Sequence, residues 1–455
     1  MAKKKITRRQ FIKSVAASGA AVAGATAIPS LSRKAYAQKP KLSIAMWNHW
    51  VPGATDVQRS VIEEWAKENK VDMTADFIGP SATEMLTVAS AEYRAGTGHD
   101  IMVLTTFDGL FFKDKLEPMD DVADYIQGKY GNFDGISTYL SNVDGKWITV
   151  PAPTGSHSYP MVTRIDRWRE IAGMDVVDVF PADVMQRNAS KVKKFTYKAF
   201  LKQCEKVAKA GYMYANPISE CSDADDWLCP LFLSFGSVPV TEKGDITIES
   251  DETLEALDYV QQLVQYMPKE IYGWNDASNN RWIISGKGSA IQNPPSAWAV
   301  AVRTRPDVAA QLWHHDTPRG PKGRFRGALY MTYGLWKFSK NKKAAKDFIK
   351  WFLESAQQWK LLAAAKGYDV PQLKPLEAHP VWKEESPPAG GLYNYIPRGD
   401  EKLIVGGWPA HPDIGVQIYR KYLIPVMTAK VTTGEMSPKE AMKWCAGELE
   451  EVVKG

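Results

Sequence analysis

Two short runs of this 455-residue chain set aromatic rings beside polar groups. Trp47-Asn48-His49-Trp50 places two indoles around an amide and an imidazole, and Asp225, Asp226 and Trp227 place two carboxylates against a third indole. Such rings offer flat apolar faces, and their neighbours offer fixed donors and acceptors, which together suit holding a small molecule. Bond-breaking chemistry has weaker support. Paired carboxylates can cleave a glycosidic bond, but Asp225 and Asp226 are chain neighbours, a poor arrangement for flanking one bond. The chain has no H-E-x-x-H, no G-x-S-x-G, no phosphate loop and no dinucleotide fingerprint. His49 and His157 stand at no metal-ligand spacing with other histidines or carboxylates and read as hydrogen-bonding residues. His314-His315 reads as a surface turn. Two of the candidates have a second reading: Asp225 and Asp226 as caps of the helix holding Trp227, and Trp47 as the end of a buried strand.

The four cysteines are Cys204, Cys221, Cys229 and Cys445, with no C-x-x-C pair and so no zinc-ribbon or cluster spacing. Cys204 and Cys445 fall on apolar helix faces and read as buried thiols. A bridge between Cys221 and Cys229 depends on the compartment, and the N-terminus speaks to that. Thr7-Arg8-Arg9-Gln10-Phe11 puts paired arginines before an Ala/Gly-rich apolar stretch, followed by Pro29, Arg33, Lys34 and the small-residue site Ala35-Tyr36-Ala37. This is the order of a secretory signal, similar to the twin-arginine class, with a cut before Gln38 and a periplasmic product. Residues 1–37 hold eight of the 57 basic residues and no acidic one, so 49 basic residues face 52 acidic ones in the remainder, a net charge of −3. The overall charge of +5 therefore belongs to the signal and implies no nucleic-acid partner. No later apolar run is long enough to span a bilayer.

The elements that must position these residues read as α/β. Leu42–Trp47, Val71–Ile78 and Asp100–Thr105 are apolar strands separated by a helix starting near Thr55 and another over Ala82–Ala95, the pattern of a parallel sheet with crossover helices. Ligands bind at the carboxyl ends of such strands. Pro/Gly-rich stretches at Pro151–Pro160 and Pro318–Gly327 read as crossings between two domains. Thr196 and Ser250 open capped helices, Lys343–Ala365 reads as one amphipathic helix with Trp359 inward, and Ser437-Pro438-Lys439-Glu440 is a capping box. The length itself favours two domains.

Five blocks in this order resemble the extracellular solute-binding proteins of ABC importers, in the large family that binds sugars and related solutes. They are residues 44–50, 98–103 and 144–151, the run Gly286-Lys-Gly-Ser-Ala-Ile-Gln-Asn-Pro-Pro-Ser-Ala-Trp298, and Gly334–Ser339. The resemblance implies a two-lobed periplasmic binding protein (Venus-flytrap) fold, each lobe a mainly parallel sheet flanked by helices, joined by a multi-strand hinge. The lobes are expected at 38–152 plus 322–365 and at 156–318 plus 368–455, with the hinge near 151–159 and 318–330. It also implies a sugar or related polyhydroxylated solute in the cleft, delivery to permease subunits, no cofactor, no catalysis and a monomer. Binding residues are then expected where the loops of both lobes meet: Trp47, Asn48, His49 and Trp50; Thr106 and Asp108; Ser156, His157 and Tyr159; Asp226 and Trp227; Asn293, Ser296 and Trp298; Tyr330; and Tyr419 on a late helix. Trp298 is expected to stack on the ligand. A glycerol phosphate held by Arg303, Arg324, Arg326 or Arg398, a polyamine in an acidic pocket, or an exported carbohydrate-active enzyme are the alternatives. The stretch Glu384–Pro412, with Trp408, matches no block.

Overall fold

β1 (Lys41–Trp47) has its last four residues buried, as befits a strand covered on both faces. It pairs in parallel with β2 (Asp72–Ile78), from Lys41 opposite Asp72 to Trp47 opposite Ile78, and with β3 (Ile101–Thr105), Ile44 opposite Ile101. The crossovers are α1 (Ala54–Glu68), which turns Val61, Ile62 and Trp65 inward, and α2 (Ala82–Ala95). The computed structural model describes residues 39–79, 82–381 and 399–454. The expected signal at 1–37, Arg398 and residues 384–398 of the unmatched stretch lie outside them.

A short hairpin of β4 (Asn142–Val143) and β5 (Lys146–Trp147) leads into β6 (Val150–Ser158). The chain then enters a second sheet. There β7 (Met161–Arg164) lies between β8 (Ala290–Gln292) and β9 (Leu312–His315) and is antiparallel to both. β10 (Arg324–Leu335) returns to the first sheet, antiparallel to β3 and β6 and parallel to β11 (Glu401–Ile404). Two of the three parallel pairs among the described strands thus share β1.

Two large apolar cores result. The first gathers β1, β3 and the Ala328–Leu335 part of β10; the second gathers α3 (Ser222–Phe235) and the chain's last helices and includes Phe325. A smaller third core packs α4 (Ser278–Ile284) and α5 (Ser296–Thr304) against Val162 and Ile291. β10 therefore leaves one core and enters the other between Phe325 and Ala328. Tyr368, Val370, Leu373, Leu376 and Val381 pack with the first core.

Every residue of α3 is buried. Its Pro230 has no N–H for the carbonyl of Asp226, four residues back. The β10 backbone comes close at that carbonyl: a Cβ on Gly327 would lie 1.9 Å from Asp226 O. Only glycine permits this approach.

The expected single helix over Lys343–Ala365 is two, α6 (Lys342–Phe352) and α7 (Ser355–Ala364). Glu354 breaks the run in an extended conformation, held by Tyr125 Oη at 2.5 Å and Lys129 Nζ at 2.8 Å. Gln358 Nε2 donates to the carbonyl of Phe352 at 2.6 Å, pairing a group that the break would strand. The break rotates the second helix, so Gln357, Gln358, Leu361 and Leu362 face inward and Trp359 is 40 % exposed instead of packed. His314 and His315 form no surface turn: both are fully buried in β9, His315 Nε2 2.8 Å from Thr163 Oγ1 and its ring stacked on Phe180 at 4.9 Å. The helices opening at Thr196 and Ser250 and the Ser437/Glu440 capping box form as expected. α8 (Pro412–Arg420) lies along the seam between the two large cores, Val416 and Tyr419 in the first and Ile418 in the second.

Candidate functional site

Between the cores lies a narrow cavity of about 40 Å³. Trp47 and Trp50, from the carboxyl end of β1 and the loop after it, form one wall together with Ala82. The crossing strands contribute His157, Tyr159, Leu329 and Met331. The opposite wall holds Ser222 and Asp223 from the first turn of α3, Asp276 and Asn280 around the start of α4, and Asn293, Pro294 and Ser296 between β8 and α5. Tyr368 completes the aromatic side, its ring stacked on Trp47 with centroids 6.0 Å apart and planes at 28°. Gly155, at φ +88°, makes room for that indole; a Cβ there would lie 2.8 Å from Trp47 Cε3. A single water takes up about 30 Å³ and small-molecule sites run to about 300 Å³ or more. A ring-sized solute therefore requires the walls to separate.

The polar groups are wired together. Tyr159 Oη donates to Asp223 Oδ1 at 3.1 Å and lies 3.2 Å from His157 Nε2. His157 Nδ1 is 2.7 Å from the carbonyl of Gly155, so that nitrogen carries the proton and Nε2 is left as an acceptor. Burial is the main cause that lowers the His157 pKa to about 4, so the ring is neutral at physiological pH. Asp223 Oδ2 accepts from Asn279 Nδ2 at 2.7 Å, and the Asp223 N–H donates to Asp276 Oδ1 at 3.2 Å. Burial, then the charge of Asp276, pushes the Asp223 carboxyl well above its ordinary range, and burial does the same to the Tyr159 phenol. Asn293 is anchored by its N–H on Pro160 O at 3.0 Å and donates through Nδ2 to Pro294 O and Ser296 Oγ. Asn280 Nδ2 also donates to Ser296 Oγ, at 3.0 Å.

Six residues singled out in the sequence meet here: Trp47, Trp50, His157, Tyr159, Asn293 and Ser296. The others stand elsewhere, each for a visible reason. Asn48 is exposed and accepts from Thr55 Oγ1, bracing the loop that opens α1. The His49 side chain is wholly buried, bound to Asp369 Oδ1 at 3.0 Å and to the N–H of Val51. Ser156 fastens the crossing strands, donating to Ala152 O and accepting from Met331 N and Gln372 Nε2. Thr106 and Asp108 belong to the seam with α8: Thr106 N donates to Tyr330 O, and Asp108 accepts from Thr105 Oγ1 and from Arg420 Nη1 at 2.8 Å. Tyr419 packs in that seam against Phe107, 5.5 Å away.

Asp226 is fully buried, three residues beyond Asp223 and not among the cavity's lining residues, and neither it nor Asp225 caps that helix through its side chain. Trp227 fills the second core and donates to Pro217 O at 2.7 Å. Trp298 packs in the third core, one helical turn beyond the Pro294-Pro295 bend, rather than facing the cavity. Tyr330 lines a different cavity, of about 410 Å³, with Tyr139, Trp408 and several aliphatic residues, its walls drawn from segments on both sides of 382–398.

Cys221 and Cys229 are separate buried thiols. They lie two turns apart along α3, roughly 12 Å by helical rise, beyond the reach of a disulfide. Cys204 and Cys445 are buried thiols, as their helix faces imply. Arg326 is buried against Glu401 at 2.5 Å, Arg324 is held by Asp400 and Thr317 O, and Arg303 is exposed, so none of the three reaches the cavity.

Asp223, Asp276, Asn280 and Tyr368 are among the lining residues that were not singled out in the sequence. Asn275-Asp276-Ala277-Ser278-Asn279-Asn280, five polar side chains opening a helix, was the available signal for two of them. Among the described residues no group of three or more His, Cys, Asp or Glu is arranged to hold a metal ion, and no helix is long and apolar enough to cross a membrane.

The sequence profile of the family described as bacterial extracellular solute-binding protein matches residues 60–387. No curated protein matches the sequence significantly. Among solved structures, the maltose-bound MalE3 of T. maritima superposes with a TM-score of 0.71 at 20% identity, over 90% of this chain and 99% of that one. A solute-binding protein of an ABC transporter from Thermotoga lettingae, bound with alpha-D-tagatose, gives 0.67 at 15% identity, over 91% and 100% of the two chains. One from Agrobacterium radiobacter, in complex with ribitol, gives 0.64 at 15% identity, over 91% and 98%. The likeness is one of fold: the two-lobed α/β architecture expected from the sequence.

Proposed function

The chain belongs to the bacterial extracellular solute-binding proteins, and from that premise we propose that it captures a sugar or related polyhydroxylated solute between its two cores and delivers it to the permease of an ABC importer. One observation carries this reading: the intercore cavity sets the rings of Trp47, Trp50, Tyr159 and Tyr368 opposite the short polar side chains of Asp223, Asn280, Asn293 and Ser296. Rings cover the C–H faces of a polyol, and fixed polar groups meet its edges. A hydroxyl partner left unmatched costs about 1–3 kcal/mol, so the polar wall sets selectivity.

The crossings at 151–159 and 318–330, which carry β6 and the first half of β10, are the hinge about which the lobes open, because the chain passes between cores there. Solute that touches both walls favours the closed state by its differential contacts. The protein acts as a monomer and makes and breaks no bond. It reaches the periplasm through the twin-arginine route, with the signal cut before Gln38. A phosphorylated solute is disfavoured, since no Lys or Arg among the described residues lines the cavity.

Calorimetric titration with mono- and oligosaccharides and polyols tests the reading. A solute is expected to bind, and Trp50→Ala is expected to weaken it by about tenfold, the scale of a lost stacking ring, while ligand-free Tm stays nearly constant because that indole is only half-buried. Saccharide binding that Trp50→Ala leaves untouched contradicts the site, and released product sugar contradicts the absence of catalysis.

A further inference from the structure

The cavity wall is unbalanced in a way that describes its solute, given that the binding reading above holds. Among the described residues, two carboxylates, Asp223 and Asp276, line it, no Lys or Arg does, and neither carboxylate takes part in an ion pair. Three of the donors nearby are turned onto the wall itself: Tyr159 onto Asp223, and the amides of Asn280 and Asn293 onto Ser296. A second, independent feature points the same way. Asn280 is 8 % exposed, lines the cavity, and its Oδ1 has no hydrogen-bond partner among the described residues. An unpaired acceptor at that depth carries a desolvation penalty until a donor reaches it.

This wall offers acceptors and negative charge. A hydroxyl satisfies such a surface only in part, because its own lone pairs find few donors there. An ammonium group has three donors, no acceptor, and a positive charge to set against the unpaired carboxylate of Asp276. The adjacent Trp50 and Tyr368 rings favour a cation as well. We infer that the natural solute is an aminated sugar or polyol whose ammonium group sits among Asp223, Asp276 and Asn280.

Matched pairs that differ by one amine for one hydroxyl test this on the exported protein: glucosamine with glucose, diglucosamine with cellobiose, and glucamine with sorbitol, each titrated calorimetrically at pH 7. The amine of at least one pair is expected to bind at least about tenfold tighter than its twin, the scale of a charge-assisted contact. Asp276→Asn is expected to erase that advantage, so that amine and twin bind this variant within about threefold of each other. Asp276 is partly exposed, so this variant should fold, and ligand-free Tm reports whether it does. Hydroxyl members that bind as tightly as their amines overturn the inference and leave the sugar reading standing. So does an amine preference that survives Asp276→Asn. Failure of every member, amine and hydroxyl alike, overturns both.

Discussion

Replacing Gly327 with alanine tests how the crossing strand is seated and whether that seat matters to the cavity. The new Cβ would lie 1.9 Å from the Asp226 carbonyl oxygen, 2.7 Å from its carbon and 2.9 Å from its Cα, all of them backbone atoms. No side chain can swing aside. Ordinary contact at about 3.4 Å requires β10 and α3 to part by roughly 1.5 Å. Overpacking of this kind costs about 1–3 kcal/mol and should lower Tm by several degrees. Because Asp223 stands one turn before Asp226 on the same helix, the displacement also loosens the Tyr159–Asp223 contact, and solute affinity should fall. Thermal unfolding and calorimetry on one preparation read both effects. Gly128→Ala is the control: it lies inside the helix Asp120–Tyr130 with no atom within 4 Å of the added methyl, and it should raise stability by up to about 1 kcal/mol. A Gly327→Ala protein with unchanged Tm and unchanged affinity would refute the reasoning.

Trp298→Ala should destabilise the ligand-free protein by about 3–5 kcal/mol, because its ring fills the third core; a normal Tm with lost binding would instead return Trp298 to the cleft. His99, 2.5 Å from Glu92 Oε1 and 3.0 Å from Asp76 Oδ2, has its pKa raised to about 9, chiefly by the Glu92 hydrogen bond. A raised histidine contributes its full stability below the unfolded value near 6.5 and loses it as pH climbs through 9. The deficit of His99→Gln should therefore be on the order of 2 kcal/mol at pH 6, allowing for solvent on the Asp76 side, and vanish by pH 10; a deficit independent of pH would exclude this pairing. Thiol titration of the denatured, unreduced protein should find all four cysteines free, and reductant should leave Tm unchanged; a bridged Cys221–Cys229 pair would contradict the helical course of α3.

The first sheet was legible because β1, β2 and β3 alternate with helices whose apolar faces repeat every three to four residues, and nothing tertiary overrides that pattern. The break at Glu354 was not legible, since the contacts that hold it come from Tyr125 and Lys129, more than 200 residues away. The site divides in the same way. Trp47, Trp50, His157 and Tyr159 follow from where strands end and cross, and Asn293 and Ser296 from the Pro294-Pro295 bend. Trp298 misled because the bend ends at a helix N-terminus: Ser296 faces the cavity, and two residues on, the ring has turned to the opposite side. Trp227 looks the same as a cavity indole in sequence, and only the total burial of α3 marks it as core. Asp223 lies within the acidic run Asp223–Asp226, yet which of its carboxylates reaches the cavity depends on the rotation of α3, which sequence alone does not fix.

A crystal structure of the protein with its tightest-binding solute examines the central claim most directly. The account predicts solute density between the two cores, in contact with Trp50, Asp223 and Asn293, with the walls moved apart to admit it. Density in the larger cavity beside Tyr330 and Trp408, with the intercore walls still closed on each other, would contradict it.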